Sequence, residues 1–225
     1  MKEFVVHTIP GSPFARAVLT TLEEKAARYR LVPLTPQDMR GPRHLGLHPF
    51  GRMPILEHGD FRLYETQAIV RYLDRVLPRP ALTPSDPQLA ARMDQLMNIN
   101  DWYLFRDASA PIGFQRVVGP MLLGLTPDEA VISAALPKAQ LAFDELARLL
   151  SANTFLAGDA LTLADLTIAP HLAMLSGTPE WPALVRGNAN IGAWLERMNA
   201  RPSMQATTVQ RVMAMAEPAA LSKAS

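Results

Sequence analysis

Apolar and polar positions along the first 77 residues change period several times. Phe4-Val5-Val6-His7-Thr8 is a short run rich in β-branched residues and predicts a strand over residues 3–8. From Phe14 to Arg28 the period becomes helical: Ala15, Val18, Leu19, Leu22 and Ala26 share one face, and Glu23, Glu24 and Lys25 lie outside it. Tyr29 to Leu34 predicts a second strand. Ile55-Leu56-Glu57 and Phe61-Arg62-Leu63 flank His58-Gly59-Asp60, which predicts a hairpin. Thr66 to Leu77 returns to helix, with Ala68, Ile69, Tyr72, Leu73 and Val76 in one stripe. A strand–helix–strand unit followed by a hairpin and a helix implies an α/β domain with a mixed sheet.

Residues 78–87 hold Pro78, Pro80, Pro84 and Pro87, which neither a helix nor a central strand tolerates. They divide a domain at 1–77 from one at 88–225, with 78–87 as linker. Beyond them the pattern is helical throughout, with one helix from Leu89 to about Asp107. Thr126-Pro127-Asp128-Glu129 predicts a capping box opening a helix to about Leu150, with Pro137 inside it. Thr162-Leu163-Ala164-Asp165 predicts another cap. Ile191 to Ala200 and Ser203 to Ala216 predict the last two helices, with a frayed tail after Pro218.

Composition then removes chemistries. The 225 residues contain no cysteine, so disulfides, thiolate nucleophiles and cysteine-held metals are excluded. The five histidines include no H-E-x-x-H motif, and no metal site is expected. Twenty-two Lys and Arg against 21 Asp and Glu leave a net charge of +1, without the basic excess of a nucleic-acid binder. The longest uncharged apolar stretch, residues 117–125, falls far short of the ~20 residues that span a bilayer. A soluble, cytoplasmic protein with neither nucleic acid nor membrane as partner is expected.

Three segments carry the candidate chemistry: Ser12-Pro13-Phe14-Ala15-Arg16, His48-Pro49-Phe50-Gly51-Arg52-Met53-Pro54, and Tyr64-Glu65-Thr66-Gln67-Ala68-Ile69. Ser12 before Pro13 reads as an N-cap followed by a proline at the first helical position. A helix start also favours a bound anion, so the same serine serves either purpose. Thr66 beside Glu65 reads equally as an N-cap next to a surface carboxylate.

With the Thr162–Asp165 cap and the closing Trp194-Leu195 and Ala200-Arg201-Pro202, these motifs resemble the cytosolic glutathione S-transferases, from Phe4 to about Met204. The likeness is to the bacterial, theta- or phi-like serine type. It implies a thioredoxin-like domain with a mixed four-stranded sheet that binds glutathione, then an all-α domain that shapes the site for an electrophile.

The resemblance also implies roles. Ser12 would donate to the glutathione thiolate, with Thr8 and His7 as outside candidates. Met53, before a cis Pro54, would pair its main chain with the cysteinyl unit. Glu65 would face the γ-glutamyl ammonium and Thr66 its carboxylate; Arg40, or less directly Arg52, would meet the glycyl carboxylate. Phe14 and Tyr103 would line the electrophile pocket, and Arg16 would be structural, tied to acidic partners between the domains. His48 stands where the family commonly has asparagine.

The implied activity is conjugation of glutathione to electrophilic, hydrophobic small molecules, with peroxide reduction beside it. Glutathione would be co-substrate and no cofactor would be needed. The implied assembly is a homodimer, for which Phe50 is a candidate anchor. A non-catalytic transferase-like binding or interaction module is the alternative. A cysteine-dependent thiol–disulfide oxidoreductase is excluded.

Overall fold

The computed structural model describes residues 2–221. Phe4–Thr8 (β1), Tyr29–Pro33 (β2), Ile55–His58 (β3) and Phe61–Tyr64 (β4) form one sheet in the order β2-β1-β3-β4. β1 runs parallel to β2 and antiparallel to β3, and β3 pairs antiparallel with β4. The register places Thr8 opposite Pro33, His7 opposite Ile55, and Ile55 opposite Tyr64. The loops leaving β1, β2 and β4 and the segment entering β3 therefore all emerge at one end of the sheet.

Helix Pro13–Glu24 (α1) is followed, after β2, by the short Pro42–Leu45 (α2), and α1 packs against Thr66–Val76 (α3). Ala15, Val18, Leu19 and Leu22 of α1 and Ile69, Val70 and Leu73 of α3 are buried. Each large apolar side chain so buried contributes about 1.5–3 kcal/mol. α1 stops at Glu24, short of the expected Arg28. The Ala26 N–H donates to the Glu23 carbonyl and the Ala27 N–H to the Leu22 carbonyl, a Schellman closure with Ala26 at φ +48°. The Lys25 ammonium turns inward to the Asp74 carboxylate at 2.5 Å and to the Pro80 carbonyl. Removing one partner of a buried pair such as this costs about 3–5 kcal/mol.

Two compact units emerge from the contacts. The first joins the chain up to Pro80 with the segment from Arg201 onward; the second runs from Ala81 to Ala200. In the first, Glu24 accepts hydrogen bonds from Arg201 at 2.8 and 2.9 Å and from Ser203 at 2.5 Å. The expected closing helix is two pieces, Pro202–Ala206 and Val209–Leu221. The Thr207 hydroxyl donates to the Ser203 carbonyl, and Thr208 accepts from the Arg211 N–H, so the threonine pair ends one helix and caps the next. The expected tail reaches past Leu221, outside the described residues.

In the second unit, Pro87–Ile99 (α4) runs on as a π-helical stretch, Asn100–Val118, and then Gly119–Leu123 (α5). The Gly119 N–H donates five residues back, to the Phe114 carbonyl. Sequence periodicity placed the end of this helix near Asp107; the wider turn carries it past Pro111. Glu129–Leu150 (α6) is capped by Asp128, whose carboxylate accepts from Ala130 and Val131 N–H, rather than by Thr126. In the cap of Leu163–Leu175 (α7), the fully buried Asp165 carboxylate accepts from the Thr162 N–H and hydroxyl, the Leu156 N–H and the Trp194 indole. Among the described residues no helix is long and apolar enough to cross a membrane.

Candidate functional site

β1 leads into Ile9-Pro10-Gly11-Ser12, where Gly11 takes φ +94°, a conformation that favours glycine. Ser12 caps α1: its Oγ accepts from the Ala15 N–H at 3.3 Å, and its carbonyl accepts from the Arg16 N–H at 2.9 Å. A serine hydroxyl carries one proton and two lone pairs. Capping uses a lone pair, and no other described residue takes the proton. Capping and donation to a ligand are thus compatible in one side chain.

The outside candidates are placed differently. The Thr8 hydroxyl donates to the Ile9 carbonyl at 2.9 Å. His7 sits 3.5 Å from the Glu57 carboxylate and lines a separate cavity of about 60 Å³ with Asp38, Arg43 and His44.

The Met53–Pro54 peptide is cis. The Met53 sulfur accepts from the Ile9 N–H at 3.1 Å, which joins this segment to the loop that carries Ser12. The Met53 main-chain N–H finds no partner among the described residues. Glu65 precedes α3 with φ +71° and ψ 118°, and its exposed carboxylate makes no hydrogen bond there. Thr66 is buried at the first position of α3, whose opening N–H groups receive no side-chain cap. Two helix starts, at Ser12 and at Thr66, thus face the same end of the sheet with their positive dipole ends.

Arg40 lies on a 3₁₀ turn, Asp38–Arg40, on the loop leaving β2. Asp38 holds this turn by accepting from the Thr35 N–H and hydroxyl, both at 2.8 Å. The Arg40 guanidinium is exposed. Phe14 is half-buried in the first turn of α1. Tyr103 belongs to the second unit, half exposed, with the Arg106 guanidinium 5.5 Å above its ring. The first unit therefore brings Ser12, Met53, Pro54, Glu65, Thr66 and Arg40 to one end of the sheet.

Arg16 corrects an expectation. Among the described residues it has no carboxylate partner: one guanidinium nitrogen donates to the Met204 carbonyl at 2.9 Å, its Nε is buried without a partner among them, and burial lowers its pKa.

Sequence reasoning gave His48 no role beyond the turn. It is only 2% exposed and stacks on Tyr64, ring centres 4.5 Å apart, with Phe50 edge-on to both rings. His44 lies 6.3 Å behind it, its Nε2–H donating to the Arg52 carbonyl at 2.8 Å. Burial pushes the His48 pKa below its ordinary value; Glu65 works against that shift, whereas His44 and Arg52 add to it. A histidine in place of a turn asparagine was the only signal available.

Two family models match the chain: the glutathione S-transferase N-terminal domain at residues 3–75 and the C-terminal domain at residues 102–202. Glutathione S-transferase 3 of Zea mays is 34% identical over 92% of this chain and 94% of its own length. The crystal structure of glutathione transferase F7 from Populus trichocarpa is 29% identical, covers 91% of this chain and 97% of its own, and superposes with a TM-score of 0.82. A glutathione S-transferase-I structure bound with lactoylglutathione is 30% identical over 95% and 99%, with a TM-score of 0.80. The maize and poplar relatives are plant proteins, so the bacterial, theta-like half of the expected likeness gains nothing from them.

Proposed function

Because the chain belongs to the glutathione S-transferase family, we propose that it binds glutathione at the loop-bearing end of its sheet and transfers the glutathione sulfur to electrophilic small molecules, as a serine-type member. The observation that carries this reading is the unspent donor capacity gathered there. The Ser12 hydroxyl proton, the Met53 N–H and the opening amides of α3 lie at the same end of the sheet as a carboxylate, Glu65, that makes no hydrogen bond among the described residues.

Each role follows from chemistry. The free thiol titrates near 8.5, so only a few per cent is thiolate at pH 7. A fall of about two units, worth roughly 2.7 kcal/mol, makes most of it reactive. The Ser12 O–H and the α1 dipole supply that stabilisation at sulfur. Met53 pairs with the cysteinyl main chain as a strand would. Glu65 takes the ammonium, Thr66 with the α3 amides takes the neighbouring carboxylate, and Arg40 the glycyl carboxylate. The bound thiolate attacks the electrophilic carbon, a carbon–sulfur bond forms, and the leaving group departs with the electron pair of its bond. Phe14 offers apolar surface to the electrophile, and Tyr103 is the candidate from the second unit. The same thiolate attacking a peroxide oxygen breaks the O–O bond, takes that oxygen as a glutathione sulfenic acid and releases the alcohol or water, and a second glutathione condenses with the sulfenic acid to give the disulfide and water. No cofactor beyond glutathione enters.

We further propose a cytoplasmic homodimer closed by an isologous interface, with Phe50, 70% exposed, as apolar surface for it. Light scattering that returns the 24.7 kDa of one chain at micromolar concentration removes the dimer.

The decisive experiment pairs retention on immobilised glutathione with turnover of a generic aryl halide. Retention, a higher melting temperature in millimolar glutathione and turnover support the reading. Retention without turnover with any of a panel of electrophiles and peroxides makes this chain a non-catalytic module. Neither retention nor a thermal shift removes glutathione as ligand.

A further inference from the structure

We propose that His48 is a positioning residue: its neutral ring holds the Glu65 turn ready for the ligand ammonium, and its protonated ring competes with that ammonium for the Glu65 carboxylate. Ligand binding at Glu65 and protonation of His48 therefore oppose each other. This rests on the glutathione site proposed above.

The geometry begins with strain. Glu65 holds φ +71°, a backbone conformation that L-residues rarely adopt and that persists only where the surroundings impose it. The residue before it, Tyr64, is clamped by the stacked His48 ring and by Phe50 at its edge. His48 is fixed in turn by its own chain: its N–H donates to the His44 carbonyl at 2.8 Å and its carbonyl accepts from the Gly51 N–H at 2.9 Å. One buried ring thus links the turn that leads to Met53 with the turn that presents Glu65.

The electrostatics make that link sensitive to charge. The His48 Nδ1 is buried without a hydrogen-bond partner, so proton gain there is not answered by a ready acceptor. Four ionisable groups bear on the ring: Glu65, whose charge favours the proton; Arg52 and His44, which disfavour it; and Tyr64, on which it stacks. Only Glu65 offers compensation, and Glu65 is also the carboxylate that the ligand ammonium needs. When the ammonium occupies Glu65, His48 loses its one favourable field. By linkage, a proton on His48 weakens the ligand by the same factor. The sign follows from that opposition, and burial puts the window below the ordinary imidazole range: affinity is full at neutral pH and is lost as pH falls into the acid range where His48 takes its proton.

The test uses S-methylglutathione, which keeps the ammonium and both carboxylates but has no thiol to titrate. Calorimetric dissociation constants are measured from pH 5 to pH 8 for wild type, His48→Phe and His48→Ala. Wild type is expected to weaken by about tenfold between pH 7.5 and pH 5, toward the low end of coupling between linked sites. His48→Phe, which keeps a stacking ring without a charge, is expected to flatten that profile. His48→Ala is expected to weaken binding at every pH, through a looser Glu65 turn. Wild type titrated near pH 5.5 in two buffers of different ionisation heat is expected to release protons on binding, a readout that needs no variant to fold. A wild-type profile without an acid limb, the same limb in His48→Phe, or no proton release overturns the inference. If wild type binds at pH 7.5 and Glu65→Gln weakens it, the glutathione site survives that failure; no binding at any pH removes both.

Discussion

The two helices that open toward the candidate site start in opposite ways. α1 opens by the ordinary rule: Ser12 sits in extended backbone at φ −63°, accepts from the Ala15 N–H, and is followed by proline. α3 opens against it: Glu65 holds φ +71°, gives no side-chain cap, and leaves its carboxylate bare. The serine is accounted for by folding before any ligand is considered, so its presence alone is weak evidence of function. The glutamate is not, and local disagreement with folding rules gathers where a site asks for it.

Four substitutions break or sharpen that contrast. The largest effect is expected from Glu65→Ala, which should weaken glutathione by about 2–3 kcal/mol in calorimetry, the worth of a hydrogen bond to a charged group. An unchanged dissociation constant places the ammonium elsewhere. Ser12→Ala should bind glutathione nearly as well, yet raise the pKa of the bound thiol by about one to two units and slow turnover at neutral pH about ten- to a hundredfold. Thiolate absorbance against pH reads this directly, and a thiol pKa equal to wild type leaves Ser12 as a cap and nothing more.

In chemical denaturation the two starts should differ in sign. Ser12→Ala is expected to lose about 1 kcal/mol with its cap, whereas Glu65→Gly should gain about 1 kcal/mol as backbone strain is relieved. Equal losses from both would erase the contrast. The smallest effect belongs to the far end of α1: Ala26→Gly should stabilise by about 0.5 kcal/mol, because glycine takes the left-handed position of the Schellman closure without a Cβ clash. A loss there means that the Ala26 side chain contributes more than its φ costs.

Elements whose period is local were legible in the sequence. β1, the β3–β4 hairpin and α3 follow from alternation, turn chemistry and one apolar stripe, and the Thr162–Asp165 cap from its spacing. Boundaries set by side-chain competition were not. Asp128 takes the cap expected at Thr126, Ala26 ends α1 without the glycine that marks such an end, and the Thr207-Thr208 pair breaks the last helix. The π-helical stretch carries no mark in the apolar pattern, since widening the turn moves every later residue off the expected face. At the site, the motifs supplied Ser12, Met53 and Glu65 as residues to place. The strain at Glu65 and the stack beneath Tyr64 are tertiary facts: they depend on rings at 48, 50 and 64 meeting across two loops.

The first unit is discontinuous along the chain, and this shapes its birth. α1 is sealed by Glu24 to Arg201 and Ser203, and by Arg16 to the Met204 carbonyl, across separations of 177 to 188 residues. On a ribosome moving at about 5–20 residues per second, α1 emerges roughly ten or more seconds before these partners exist. During that interval the face of α1 that will meet residues 201–206 is open to chaperones and to other nascent chains. A chain truncated at Ala200 keeps that exposure permanently, so deletion of the last 25 residues should convert a folding delay into a standing tendency to aggregate.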